Sequence, residues 1–157
     1  MDSSGKWGEP PIWMVASRRS KTKGQVCCTA YLSKQEYDNI SCESRNWEDK
    51  FKALLIYRVT SELIYDRDII IIHVDFHGKT RERICHYLKR SFREYYAKHY
   101  PNKPLKREPD VLFSSTRHSD EVKEADIKAK RLRKGMPPEN VLRHFKDPSF
   151  EKEIESL

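Results

Sequence analysis

The sequence lacks any long apolar stretch. Its all-isoleucine run stops after Ile69–Ile72, far short of the roughly 20 apolar residues that a membrane-spanning helix needs. The opening MDSSGKWGEPP carries no hydrophobic segment behind its basic residue, so neither a secretory leader nor a membrane anchor is expected. A cytoplasmic protein is the expectation. Cys27, Cys28, Cys42 and Cys85 form no C-x-x-C pair. Neighbouring cysteines on a strand point to opposite faces, which argues against a zinc site and for reduced thiols. Glycine is scarce, with five in 157 residues, and one missing glycine decides a question. Gly78-Lys79-Thr80 ends like a phosphate-binding loop, but the pattern G-x-x-x-x-G-K-[ST] needs glycine where His73 stands. No nucleotide cofactor is therefore expected, and Gly78 to Thr80 reads as a turn into a helix.

What the chain has in abundance is charge. Thirty-one Lys and Arg against 24 Asp and Glu leave a formal net charge of +7, which favours polyanions such as DNA or RNA as partners. Arg18, Arg19, Lys21 and Lys23 crowd one polar stretch, and Lys130, Arg131, Arg133 and Lys134 crowd another. Both are candidate phosphate-binding clusters. The competing reading is that they are ordinary solvated charges. Composition leaves self-association open.

The pattern predicts a mixed α/β fold. Residues 1–11, with Gly5, Gly8 and Pro10-Pro11, read as a poorly ordered lead-in. Ile12–Ser17 and Gln25–Leu32 are rich in strand formers and flank a polar hairpin tip, Arg18–Gly24. Residues 33–45 carry no assignable pattern. Asn46 is placed to cap a helix with an apolar stripe at Trp47, Phe51, Leu54, Leu55, Val59 and Leu63. Ile69–Phe76 reads as a central strand covered on both faces. Thr80 is placed to cap a second helix that Pro101 ends, and Asp110–Ser115 is a short strand. Ser119 begins a third helix, with acids early and bases late, that Gly135 closes. The expected organisation is a lead-in (1–11), an α/β core (12–135) with an antiparallel opening followed by alternating strands and helices, and a helical C-terminal tail (136–157).

Three acids stand out against this frame. Asp75 lies near the end of the buried strand, where an unpartnered carboxylate is costly and where open α/β sheets place ligands. A turn-capping role for Asp75 is an equal alternative. Asp126 falls four residues after Val122 and three before Ala129, beside the inward stripe of the third helix, with Lys130 available as an ion-pair partner. Glu62 borders the buried face of the first helix, within reach of Arg58. Together these carboxylates have the chemistry to hold Mg²⁺ or Mn²⁺. His73 and His77 flank Asp75 and add a second, imidazole-based ligand option.

The element order from Ile12 to Lys134, with Glu62, Asp75 and the segment EADIKAK around Asp126, resembles the ribonuclease H-like superfamily. That resemblance implies metal-dependent hydrolysis of phosphodiesters, with Glu62, Asp75 and Asp126 as ligands and catalytic groups. Members carry an aspartate in the first strand, but IWMVASRR has none, and no acid lies between Glu9 and Glu36. The alternatives are a catalytically inactive nucleic-acid-binding or assembly protein on the same scaffold, and an adaptor that works through Pro148–Leu157.

Overall fold

The computed structural model describes residues 2–6, 9–21, 24–38, 40, 44–73, 76–114, 119–135, 141–144 and 149–157. Three strands open the chain: β1 (Asp2–Lys6), β2 (Glu9–Ser20) and β3 (Gly24–Leu32). They pair as an antiparallel meander in which Asp2 lies opposite Val15 and Ile12 opposite Leu32. The stretch 1–11, expected to be an irregular lead-in, therefore contributes a whole strand and the start of another. β1 reads DSSGK, with no β-branched or aromatic residue to announce it. It is a strand because β2 pairs along it and His73 bridges its Asp2 on the other edge, a case where tertiary context overrides propensity.

The rest of the chain adds helices and parallel strands. A short helix α1 (Lys34–Asp38) occupies the segment without a sequence assignment, and α2 (Trp47–Thr60) follows. β4 (Ile69–Ile72) leads to α3 (Lys79–Ser91), a π-helical turn (Phe92–Tyr96) and α4 (Ala97–His99), which stops short of Pro101 as expected. β5 (Asp110–Phe113) pairs parallel to β4, from Ile69 opposite Asp110 to Ile72 opposite Phe113. A parallel bridge between Asp2 and His73 sets β4 beside the remaining edge of β1. α5 (Asp120–Arg133), β6 (Val141–His144) and α6 (Ser149–Ser156) complete the chain.

Alternation along the strands divides the interior into two layers. Ile12, Met14 and Ala16 of β2, Ala30 and Leu32 of β3, and Ile70 and Ile72 of β4 pack with Leu54, Leu55 and Tyr57 of α2 and Ile84 and Leu88 of α3. On the other face, Val15 packs with Ala125, Ala129 and Leu132 of α5, edged by Trp13 and Cys27. Cys28 is buried on its own side, so the adjacent cysteines do diverge. Each fully buried aliphatic side chain contributes about 1.5–3 kcal/mol. α2 is buried on most of its circumference, not along one stripe, because the sheet, α3 and α6 all pack against it.

Several local expectations are corrected. Asn46 sits at the start of α2, but with a left-handed backbone (φ 58°) and no side-chain cap hydrogen bond. α3 begins at Lys79, after Gly78 turns the chain at φ 51°; Thr80 lies inside it. Ser119 does cap α5, its hydroxyl accepting from the Val122 N–H at 3.2 Å. β4 is fully covered on one face only: Ile70 and Ile72 are buried, whereas Ile69 is 53% exposed. α5 packs over β1 and β2, which leaves the outer side of β4 and β5 open around Ile69 and Leu112.

The C-terminal segment is not a helical appendage. Val141–His144, expected in a helix, forms a strand parallel to β3. α6 returns to the main core, where Ile154 and Leu157 are buried, and Glu153 binds Arg58 at 2.6 Å.

Candidate functional site

The most buried acid of the described residues, Asp2, carries no signal in its local sequence. Asp2 lies on β1 between β2 and the end of β4, covered by α5, and is 4% exposed. Its Oδ1 accepts a hydrogen bond from the Ser3 N–H at 2.7 Å. His73 Nδ1 lies 3.4 Å from the same oxygen. This nitrogen is buried and makes no hydrogen bond with any described residue. Asp126, 9% exposed on α5, supplies the second carboxylate, close enough for its charge to act on Asp2.

Burial raises the Asp2 pKa above the ordinary carboxylate value, and the charge of Asp126 adds to that rise. The Ser3 N–H and the nearby His73 oppose it without cancelling it. A raised folded-state pKa means that the carboxylate ionises more readily in the unfolded chain. Asp2 therefore contributes stability below its unfolded pKa, and that contribution is lost as pH rises through the folded value. Asp2→Asn is expected to be more stable than the parent at pH 7 without added metal, with the gap closing as pH falls below about 4. Urea unfolding at several pH values checks this; a variant less stable at pH 7 contradicts it.

The sequence-nominated acids fare differently. Asp126 is where the stripe argument put it, and it also pairs with Lys130 at 2.8 Å. Glu62 lies half-buried in the turn after α2, because that helix ends at Thr60. Arg58, expected as its partner, instead holds Glu153. Asp75 and Lys23 lie outside the described residues. His77 is exposed, so the imidazole of this segment that reaches the acids is His73.

The basic clusters also separate. The Arg18 guanidinium is engaged within the fold, donating to Asp68 and to the Leu63 carbonyl while lying 4.3 Å from the Tyr65 ring centre. Arg19 and Lys21 are exposed near the β2–β3 hairpin tip. Arg131, Arg133 and Lys134 are exposed at the end of α5. At 1.5 Å per helical residue they stand roughly 7–12 Å along the axis from Asp126.

Asp2 and Asp126 offer hard carboxylate oxygens in a partly desolvated setting, and His73 adds an imidazole nitrogen. These are donor types that Mg²⁺ or Mn²⁺ take. Among the described residues, Asp2, His73 and Asp126 included, no group of three or more His, Cys, Asp or Glu lies together so that it could hold a metal ion. No known protein family, curated protein or solved structure matches the chain.

What could have flagged Asp2 is the meander itself. Once β1 is admitted as the first strand, its acid falls between the end of β4 and α5. The run IWMVAS hid it by presenting a stronger strand signal one element later.

Proposed function

We propose that the protein is a nucleic-acid-binding phosphodiesterase of ribonuclease H-like type that depends on Mg²⁺ or Mn²⁺. The observation that carries this reading is the buried Asp2 carboxylate beside His73, where the first strand meets the end of β4 under helix α5, the helix that carries Asp126. Two sheets, β6-β3-β2-β1 and β4-β5, meet at the single Asp2–His73 bridge, with β1, β4 and β5 parallel and β2 reversed, an arrangement in keeping with the fold half of the reading. An aspartate on the first strand, Asp2, is in keeping with this reading.

In this reading Asp2 and Asp126 hold the cation, and Asp75, two residues beyond His73, is the further ligand expected from sequence. The chemistry supplied by Mg²⁺ or Mn²⁺ there is charge neutralisation at the phosphodiester and acidification of a water. The Ser3 N–H holds the Asp2 Oδ1, and the His73 imidazole lies 3.4 Å from the same oxygen. Arg131, Arg133 and Lys134 bind flanking phosphates and set the strand across the acids.

Incubation with DNA duplex, RNA duplex and RNA–DNA hybrid in Mg²⁺ or Mn²⁺ tests the proposal: cleavage of at least one, abolished by EDTA, is expected. Binding without cleavage in either ion would favour the inactive nucleic-acid-binding alternative, which the Lys130–Asp126 ion pair supports by occupying one carboxylate oxygen. The joint substitution Arg131→Ala with Arg133→Ala is expected to reduce the slope of log K against log salt on duplex DNA by about 1.8, or about 0.9 per lost phosphate contact. An unchanged slope places the interface elsewhere. Arg18→Ala is expected to leave that slope intact and to lower stability, because its partners are internal.

A further inference from the structure

We propose that Arg81 holds a backbone phosphate of the nucleic acid at the carboxyl ends of β4 and β5, from the layer opposite α5. This role rests on the nucleic-acid-binding reading of the site.

Arg81 differs from the other arginines that the fold draws away from water. Among the described residues Arg18, Arg58, Arg81, Arg83 and Arg90 are partly buried. Four of them meet a carboxylate: Arg18 at Asp68, Arg58 at Glu153, Arg83 at Asp49 and Arg90 at Glu94. Arg81 meets none among the described residues. Its Nε donates to the Phe76 carbonyl, and its guanidinium carbon lies 5.7 Å from the Phe113 ring centre. Neither partner carries a negative charge, and the two terminal nitrogens donate to no described residue. A guanidinium withdrawn from water without a counter-charge costs free energy. An anion that arrives with a ligand removes that cost, and the terminal nitrogens form the planar fork that phosphate oxygens fit.

The same contacts fix where the fork stands. Phe113 ends β5 opposite Ile72, the residue before His73, and the ladder runs on as the Ser114 N–H donates to the Ile72 carbonyl at 2.9 Å. Phe76 follows His73 by three residues, which span at most about 10 Å. Its buried ring lies edge-on to Phe113, with ring centres 6.3 Å apart, and both rings pack with the main core. Arg81 therefore stands at the carboxyl end of β4, where His73 approaches Asp2, but in the layer of α3, whereas Asp126 belongs to α5. Ligands of open α/β sheets bind at this end of the strands. A nucleic-acid strand laid across it passes from the acids on the α5 side to the Arg81 fork on the α3 side. Because the Nε bond and the ring already hold the side chain, little conformational freedom remains to be lost when a phosphate binds.

Fluorescence anisotropy of the full chain with a labelled DNA duplex and the matching RNA–DNA hybrid, in EDTA over a range of NaCl, tests the assignment. On whichever probe the parent binds, Arg81→Gln is expected to weaken binding at least fivefold and to reduce the slope of log K against log salt by about 0.9, the share of one phosphate contact. Arg81→Lys is expected to keep the slope, because it keeps the charge, and to bind less tightly than the parent, because it lacks the fork. On the parent itself, phenylglyoxal labelling of Arg81, read by mass spectrometry, is expected to slow at least fivefold with saturating probe, while labelling of the exposed Arg67, before the start of β4, is unchanged. Equal labelling of Arg81 with and without probe would overturn the assignment, as would an unchanged slope in Arg81→Gln. An unchanged slope with a lower melting temperature in that variant would mean that the guanidinium answers an acid of the chain itself. A parent that binds neither probe would overturn the nucleic-acid reading and this role together, whereas a parent that binds with Arg81 unprotected removes Arg81 alone.

Discussion

Replacing Asp126 by Asn is expected to reduce Mg²⁺-dependent phosphodiester cleavage by at least about 1,000-fold. The figure follows from losing roughly 4 kcal/mol of transition-state stabilisation when one anionic ligand becomes neutral, at about 1.4 kcal/mol per factor of ten. The substitution keeps the side-chain volume, so packing of α5 through Ala125 and Ala129 is retained. The exposed Lys130 loses its partner, a change worth about 0–1 kcal/mol. Removing the like charge beside Asp2 also relieves the repulsion that helps to raise its pKa. Melting within a few degrees of the parent should accompany the loss of turnover. Activity within tenfold of the parent would remove Asp126 from the site.

The second large effect concerns stability. Glu153→Ala is expected to lower unfolding free energy by about 3–5 kcal/mol, because it leaves the Arg58 guanidinium without its partner at a site where water reaches poorly. Arg58 and Glu153 side chains are only 8% and 14% exposed, and the pair ties α6 to α2 at 2.6 Å. In a chain of this size that loss corresponds to a fall in Tm of about 10 °C. Chemical denaturation at pH 7 measures it, with a lower midpoint and unchanged slope expected. A loss under 1 kcal/mol would mean that α6 is not part of the cooperative core. Replacing both partners with Met and Leu should recover most of the stability, because no isolated charge then remains buried.

The parts of the fold that were legible in the sequence are those with local signals. The hairpin around Arg18–Gly24, the helices that begin near Asn46, Gly78 and Ser119, and the short strand at Asp110 all declare themselves through turn residues, caps and apolar period. The illegible parts owe their form to distant partners. β1 has a polar, glycine-containing sequence and is a strand only because β2 and the end of β4 flank it. Val141–His144 reads as helix locally and is a strand because β3 offers an edge. Ile69 and Leu112 read as core, and their exposure depends on where α5 happens to lie.

The candidate site divides along the same line. Asp126 was visible because an acid on an apolar helical stripe is anomalous within its own element. His73 was visible as a ligand option through its place on an isoleucine strand. Asp2 was not visible, because its burial comes from β2, β4 and α5 together and nothing in DSSG encodes them. Glu62 followed from extending the α2 pattern two residues too far, past the Thr60 hydroxyl that bonds back to the Ile56 carbonyl at 2.7 Å in the last turn.

The most direct test of the account is a Mn²⁺ titration followed by electron paramagnetic resonance on the parent, Asp2→Asn and Asp126→Asn at pH 7.5. The account predicts saturable binding to the parent that weakens at least tenfold in each variant, with both variants folded. Binding of equal strength and stoichiometry in all three would contradict it.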